Sequence, residues 1–230
     1  MRRIGLLGGM SWESSSLFYS LLNELTKERL GGLHSARVLM SSVDFAEVAE
    51  LQHAGEWARA GDLLADEARR LEAAGAELLV LCTNTMHMVA DDITAAVSIP
   101  FLHLGDATGG AVVAAGLERV ALLGTRFTME EDFYVDRITS YGVEVIVPEP
   151  DERELVHRVI YDELVLGVVK DESRTAYEQV IAALVTRGAQ GVILGCTEIE
   201  LLVGPDNSPV PVFPTTLIHA RAALDAALAP

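Results

Sequence analysis

At 230 residues, half of them apolar, the chain is long enough to bury a sizeable core in one domain or two small ones. A formal net charge of −17 excludes nucleic acid as a partner, because affinity there rests on Lys and Arg neutralising phosphates. The apolar run at the N-terminus is too short for a helix to span a membrane, and no membrane partner is expected.

Residues 3–7 are a short apolar strand that stops at Gly8-Gly9. Two Arg precede this run. The Gly pair, Trp12 and Glu13 interrupt it, and no small-residue cleavage site follows. It reads as the first strand of a cytoplasmic protein and not as a signal peptide. Residues 14–30 have helical spacing, with Leu17, Tyr19, Leu21, Leu22 and Leu25 as most of the apolar positions, and Gly31-Gly32 ends the helix. A strand at 38–43, a long helix at 57–74 and an apolar strand at 77–81 follow. The last runs directly into Cys82-Thr83-Asn84-Thr85, and another short strand covers 100–104.

The pattern then restarts. Residues 120–123 are a strand ending at Gly124-Thr125, and 143–147 are a strand closed by Pro148. Helices are predicted at 153–166 and 173–186. A strand at 192–194 leads into Gly195-Cys196-Thr197-Glu198, and a strand at 210–213 and a helix at 216–228 close the chain. Ile4-Gly-Leu-Leu-Gly echoes Val120-Ala-Leu-Leu-Gly, and Gly75-Ala-Glu before Cys82 echoes Gly188-Ala-Gln before Cys196. Strands alternating with helices predict an α/β fold with parallel sheets. The repeat predicts two similar αβα lobes related by a pseudo-twofold, with the active site in the cleft between them. The expected division is 1–103 plus 210–230 for the lobe carrying Cys82, and 104–209 for the lobe carrying Cys196.

These are the only two cysteines. A disulfide is not expected in a reducing compartment, so each thiol is either a small buried hydrophobe or a reactive group. Each follows an apolar strand and precedes a Thr, where a helix is expected to begin. Ligands of open parallel sheets bind outside the carboxyl ends of the strands. Backbone N–H groups at such turns can hold a carboxylate, and the positive helix end is expected to lower a thiol pKa. Two thiols at equivalent positions suit one reaction: a thiolate removes an α-proton from one face of a carbon and a thiol returns a proton to the other.

At these residues the chain resembles the aspartate/glutamate racemase family. The resemblance rests on Gly8-Gly-Met-Ser-Trp-Glu-Ser-Ser, Ser42-Val-Asp-Phe-Ala-Glu, Cys82-Thr-Asn-Thr-Met-His, Gly124-Thr-Arg-Phe-Thr-Met and Gly195-Cys-Thr-Glu-Ile-Glu-Leu-Leu. It implies two αβα lobes, an amino-acid substrate, no pyridoxal phosphate or other cofactor, no metal and a homodimer. Cys82 and Cys196 match the proton-transfer pair. Thr83, Asn84, Thr85, Thr125 and Thr197 match positions that hold the substrate α-carboxylate and α-amino group, and Met10 and Gln52 match positions lining the pocket. Glu198 is either a partner in proton handling and ammonium binding or a first-turn acid complementing a helix dipole.

The sequence departs from its relatives in two places. Aspartate-specific members carry a basic residue shortly after the second strand; here Asp44-Phe-Ala-Glu-Val-Ala-Glu has none. Lys170 is then either the cation for a distal carboxylate or an exposed helix-end lysine. Many relatives have Asp before the last helix, where this chain has Pro214, which supplies neither a carboxylate nor an N–H. His87 either tunes the first thiol or is hydrogen-bonded inside its lobe. The competing functions are hydantoin racemization or maleate isomerization on the same fold, and non-catalytic amino-acid binding.

Overall fold

The structure is a computed structural model and describes residues 1–229. The chain forms two compact units, one comprising residues 1–104 with the stretch from His219 onward, the other Gly105–Ile218.

In the first unit, β1 (Ile4–Gly8), α1 (Trp12–Leu30), β2 (Val38–Ser42), α2 (Phe45–Ala54), α3 (Trp57–Ala73) and β3 (Leu78–Leu81) follow in order. A 3₁₀ helix (Thr85–Val89), α4 (Ala90–Ala96) and β4 (Phe101–Leu102) come next. The sheet is parallel throughout, in the order β2-β1-β3-β4. Every residue of β3 is buried, as expected of a strand covered on both faces. Alternate residues divide between those faces. Leu7, Leu79 and Leu81 pack with Val48 and Leu51 of α2 and Leu64 and Leu71 of α3. Ile4, Leu6, Leu78 and Val80 pack with Phe18 and Leu22 of α1 and with Ala220 and Leu224 near the C-terminus. The stripe Ala60, Leu64, Ala68, Leu71 on α3 is the spacing that makes it a surface helix with one buried side.

The second unit begins in α5 (Leu104–Ala114), then β5 (Arg119–Gly124), α6 (Arg126–Glu130), α7 (Asp132–Thr139) and β6 (Glu144–Ile146). It continues with α8 (Pro150–Asp162), α9 (Asp171–Thr186), β7 (Val192–Gly195) and β8 (Val212–Pro214). Short 3₁₀ helices lie at Leu164–Leu166, Thr197–Leu201 and Pro205–Asn207, and α10 (Thr215–Leu228) ends the chain. The order β6-β5-β7-β8, again all parallel, repeats the first sheet strand for strand. Ala121, Leu123, Val192 and Leu194 form a core with Val156 and Ile160 of α8 and Tyr177, Ile181 and Leu184 of α9.

The expected return to the first lobe at residue 210 is corrected. β8 pairs with β7, register Val192↔Val212, Ile193↔Phe213, Leu194↔Pro214. The second unit therefore runs to Ile218, and the first resumes at His219, inside α10. Each sheet needs a fourth strand beside its third. Phe101–Leu102 fills that place in the first sheet, so Val212–Pro214 fills it in the second. The structure also adds α2, α4, α5, α6 and α7, which the sequence did not single out. α5 is apolar with Gly109-Gly110 inside it, so it shows no helical stripe.

Gly9, just past β1, has φ +97°, and a Cβ there would lie 2.2 Å from the Val43 carbonyl oxygen. Gly55, the C-cap of α2, has φ +70° in the left-handed region, with nothing within 4 Å of such a Cβ. Gly55→Ala is expected to cost about 1 kcal/mol, for backbone conformation alone. Gly9→Ala is expected to cost about 3 kcal/mol or more, because backbone must move as well. Urea unfolding of the two variants beside the parent checks the difference; equal losses would contradict it.

Candidate active site

The strand order sets where each site forms. In both sheets the chain steps from the first strand to one neighbour and returns on the other side to the third. That is a topological switch point, where the carboxyl ends of two parallel strands diverge and leave a crevice. In the first unit the pairing Leu7↔Leu81 brings Gly8–Ser11 beside Cys82–Asn84. In the second, Gly124↔Gly195 brings Thr125 beside Cys196.

In the first unit Cys82 is 4% exposed, and its N–H donates to the Leu7 carbonyl at 2.9 Å. Its side chain belongs to the cluster around Ile4, Phe18 and Leu22. The Gly9 N–H donates to Ser15 Oγ at 2.8 Å, and Ser15 Oγ donates to the Ser11 carbonyl at 2.9 Å. Ser11 caps α1 by accepting from the Ser14 N–H, so these serines shape the strand-to-helix turn. Met10, Asn84 and Thr85 are buried. Gln52 is buried too; its Nε2 donates to Met86 Sδ at 2.9 Å, while its Oε1 has no partner among the described residues. The Thr83 carbonyl is 2.7 Å from His87 Nδ1.

In the second unit Cys196 Sγ–H donates to Glu198 Oε2 at 2.9 Å. Glu198 is buried, as is Thr197, whose Oγ1 lies 3.4 Å from the Thr216 hydroxyl. Thr125 caps α6, accepting from the Thr128 N–H at 3.3 Å. Lys170 is not drawn into this group. It sits at the N-cap of α9, half exposed, with its ammonium 3.0 Å from Glu163 Oε1. At the end of β8, where Pro214 stands, the Thr215 hydroxyl donates to the Leu194 carbonyl at 2.8 Å.

The thiols differ from expectation in their acidity. Neither cysteine is followed by a long α-helix; each precedes one five-residue 3₁₀ helix. Few peptide dipoles are aligned there. Burial dominates and pushes the Cys82 thiol well up. Burial also raises Cys196, and the neighbouring Glu198 carboxylate raises it further. Both rest as neutral thiols. Cys196 has a carboxylate in contact to receive its proton.

Two ionisable groups near Cys196 were not read from sequence. Tyr161 of α8 is raised to about 12, by burial first and then by Cys196 and Glu198. Glu200 is lifted to about 7 by burial, against hydrogen bonds from Thr216. Its Oε1 is buried without a partner among the described residues. The Glu-x-Glu spacing after Cys196 was the available signal, but burial of the second acid follows from tertiary packing. His219 packs within the first unit: Nε2 donates to the Leu102 carbonyl at 2.8 Å and the ring meets Phe18 edge-on.

Two like-ordered parallel sheets, each with a cysteine and a threonine at its switch point, define an α/β protein with paired thiol sites. Residues 7–223 match the Asp/Glu/Hydantoin racemase family, and this chain belongs to it. A candidate Asp/Glu racemase structure from Yersinia pestis is 52% identical, with a TM-score of 0.94 over 100% of both chains. The structure of an aspartate racemase homologue from Pyrococcus horikoshii is 33% identical, with a TM-score of 0.87 over 99% of both chains. The broad specificity amino-acid racemase RacX of Bacillus subtilis (strain 168) is 22% identical over 98% of both chains.

Two outcomes follow from the electrostatics. Glu198→Gln removes the negative charge facing Cys196, so its thiol pKa should fall. At pH 8 alkylation of Cys196 by iodoacetamide should then quicken about tenfold, with Cys82 unchanged. Peptide mass mapping reads both; slower labelling of Cys196 would contradict this. The raised Glu200 favours the protonated form in the folded state. Its contribution is present below the unfolded carboxylate pKa and lost as pH rises through about 7. Glu200→Gln should therefore stabilise the protein at pH 8 by about 2 kcal/mol and leave it nearly unchanged at pH 4. His219, lowered to about 4, works oppositely in both proteins, its contribution fading as pH falls from about 6.5 to about 4. Melting curves of parent and variant at the two pH values isolate the Glu200 part.

Proposed function

We propose that this chain is a cofactor-independent amino-acid racemase in which Cys82 and Cys196 act on opposite faces of one substrate α-carbon. One observation carries the reading. The only two cysteines occupy the same place in two sheets of identical strand order, each one residue past the third strand and before a Thr.

In one direction Cys196 first gives its proton to Glu198, and the thiolate takes the α-proton, leaving the electron pair delocalised into the substrate carboxylate. Cys82, a neutral thiol, then donates its proton to the opposite face and is left as a thiolate. The stereocentre is inverted; Glu198 then releases its proton to solvent and the Cys82 thiolate takes one up, which restores the resting pair, and in the reverse reaction Cys82 is the base and Cys196 the acid. A thiol of raised pKa still carries its proton at rest and so has one to donate, and for Cys196 the adjacent carboxylate supplies the base. Thr83, Asn84, Thr85, Thr125 and Thr197 supply hydrogen bonds to the α-carboxylate and ammonium. Gln52 Oε1, a buried acceptor without a donor among the described residues, suits the ammonium. Met10 lines the pocket.

The substrate range we propose is broad and not confined to aspartate. Residues 44–50 carry no Lys or Arg, and Lys170 is engaged by Glu163. The likeness to a relative named for broad specificity supports this. Among the described residues no helix is long and apolar enough to cross a membrane. Two thiols that must stay reduced suit the cytoplasm, and a homodimer is the proposed assembly.

Incubating the protein with single amino-acid enantiomers in D₂O tests the reading. The parent should exchange the α-proton and racemize at least one amino acid. Cys82→Ser and Cys196→Ser should each lose about 10²–10⁴-fold in racemization. Full racemization by either variant would overturn the two-base mechanism. Turnover of hydantoins alone would move the substrate to the other class that the family name includes.

A further inference from the structure

The two thiol turns are held differently. In the first unit the buried His87 imidazole lies across the turn that follows Cys82. Its Nδ1 is 2.7 Å from the Thr83 carbonyl oxygen, and its Nε2 is 3.1 Å from the Leu104 backbone nitrogen. A backbone N–H can only donate, so Nε2 is the bare acceptor. Nδ1 therefore carries the proton and donates to Thr83. The ring is walled by His103, with centroids 4.6 Å apart, and by Phe101 and His219 at 5.7 and 5.9 Å. Burial and the two neighbouring imidazoles disfavour a charge on it. The His87 backbone N–H donates to the next carbonyl, that of Asn84, at 3.0 Å. In the second unit the residue at the same spacing from its cysteine is Leu201, which is 55% exposed and has no side-chain hydrogen bond to offer.

We infer that His87, fixed as the neutral Nδ1–H tautomer, is the positioning residue of the Cys82–Thr83–Asn84 turn and aims the Asn84 N–H at the substrate carboxylate. The Thr83–Asn84 peptide is trans, so its N–H points opposite to its C=O. Holding the Thr83 oxygen on the imidazole turns the Asn84 N–H away from the ring. An N–H held in that direction needs no reorganisation when an anion arrives. The second bond, from Leu104, ties the turn to the start of α5 and holds the ring itself. His87 acts through the backbone and does not touch the reacting carbon. This role rests on the amino-acid reading above, but the tautomer does not.

The test has two arms. Nitrogen-15 spectra of histidine-labelled protein at pH 7, assigned by the signal missing from His87→Asn, should show Nδ1–H and a bare Nε2. An Nε2–H tautomer or an imidazolium overturns the inference, whether or not the protein racemizes anything. The second arm is kinetic. His87→Asn places an amide N–H where Nδ1 was and keeps the bond to Thr83. His87→Gln places its amide where Nε2 was, and can accept from Leu104 while leaving Thr83 unheld. On the amino acid turned over best, His87→Asn should stay within about threefold of the parent in KM, and His87→Gln should raise KM about tenfold. Cys196 alkylation should be the same in all three proteins. Equal losses in the two variants, or losses that follow only their melting temperatures, would reduce His87 to a packing residue and overturn the proposal. An inactive parent with the expected tautomer would instead defeat the racemase reading and the carboxylate-aiming role with it, leaving only the tautomer.

Discussion

A parallel strand cannot turn straight back into its neighbour; it must cross over through a helix and re-enter the sheet from the same end. In this protein both sheets make the crossovers in one order, first to one side of the opening strand and then to the other. The side chains just past the first and third strands are thereby brought together at the carboxyl edge, with backbone N–H groups around them. Gly8-Gly9 and Gly124-Thr125 open that edge on one strand, and Cys82 and Cys196 occupy it on the other. Serine caps, buried threonines and 3₁₀ turns all follow from the need to satisfy backbone groups where the strands part.

Much of this was legible in the sequence because it depends on local pattern. Continuous apolar runs mark buried parallel strands, and glycines mark their ends. The two cysteines stand out as a pair because the surrounding motifs repeat. The partner of a strand was not legible. Val210-Pro211-Val212-Phe213 looks the same whether it adds to the first sheet or the second, and the choice is made by which edge is vacant. Helices without an apolar stripe, such as α5, were missed for a related reason: they are packed or capped in ways that periodicity does not record.

The acidity of the site was misread for a different physical reason. A strand-to-helix junction suggests a positive end that favours thiolate, but each cysteine is followed by a five-residue 3₁₀ helix, which only the seven-residue α4 extends in the first unit. Desolvation wins over so small a dipole. The two halves then diverge in chemistry while agreeing in topology. Cys196 has an acid against its sulfur, whereas Cys82 has an apolar surround and a turn braced by an imidazole. Sequence showed two equivalent cysteines; packing makes them unequal acids.

The raised pKa of both sulfurs, from desolvation and, at Cys196, the Glu198 carboxylate, has a consequence for how long the protein survives. Peroxide and other electrophiles attack thiolate, not thiol, and they attack sulfurs they can reach. Neutral sulfurs oxidise slowly, and Cys82 is sheltered as well, whereas Cys196 is only partly buried and relies on staying protonated. The chain thus gains durability against oxidative damage from the same desolvation that makes its thiols reluctant to ionise.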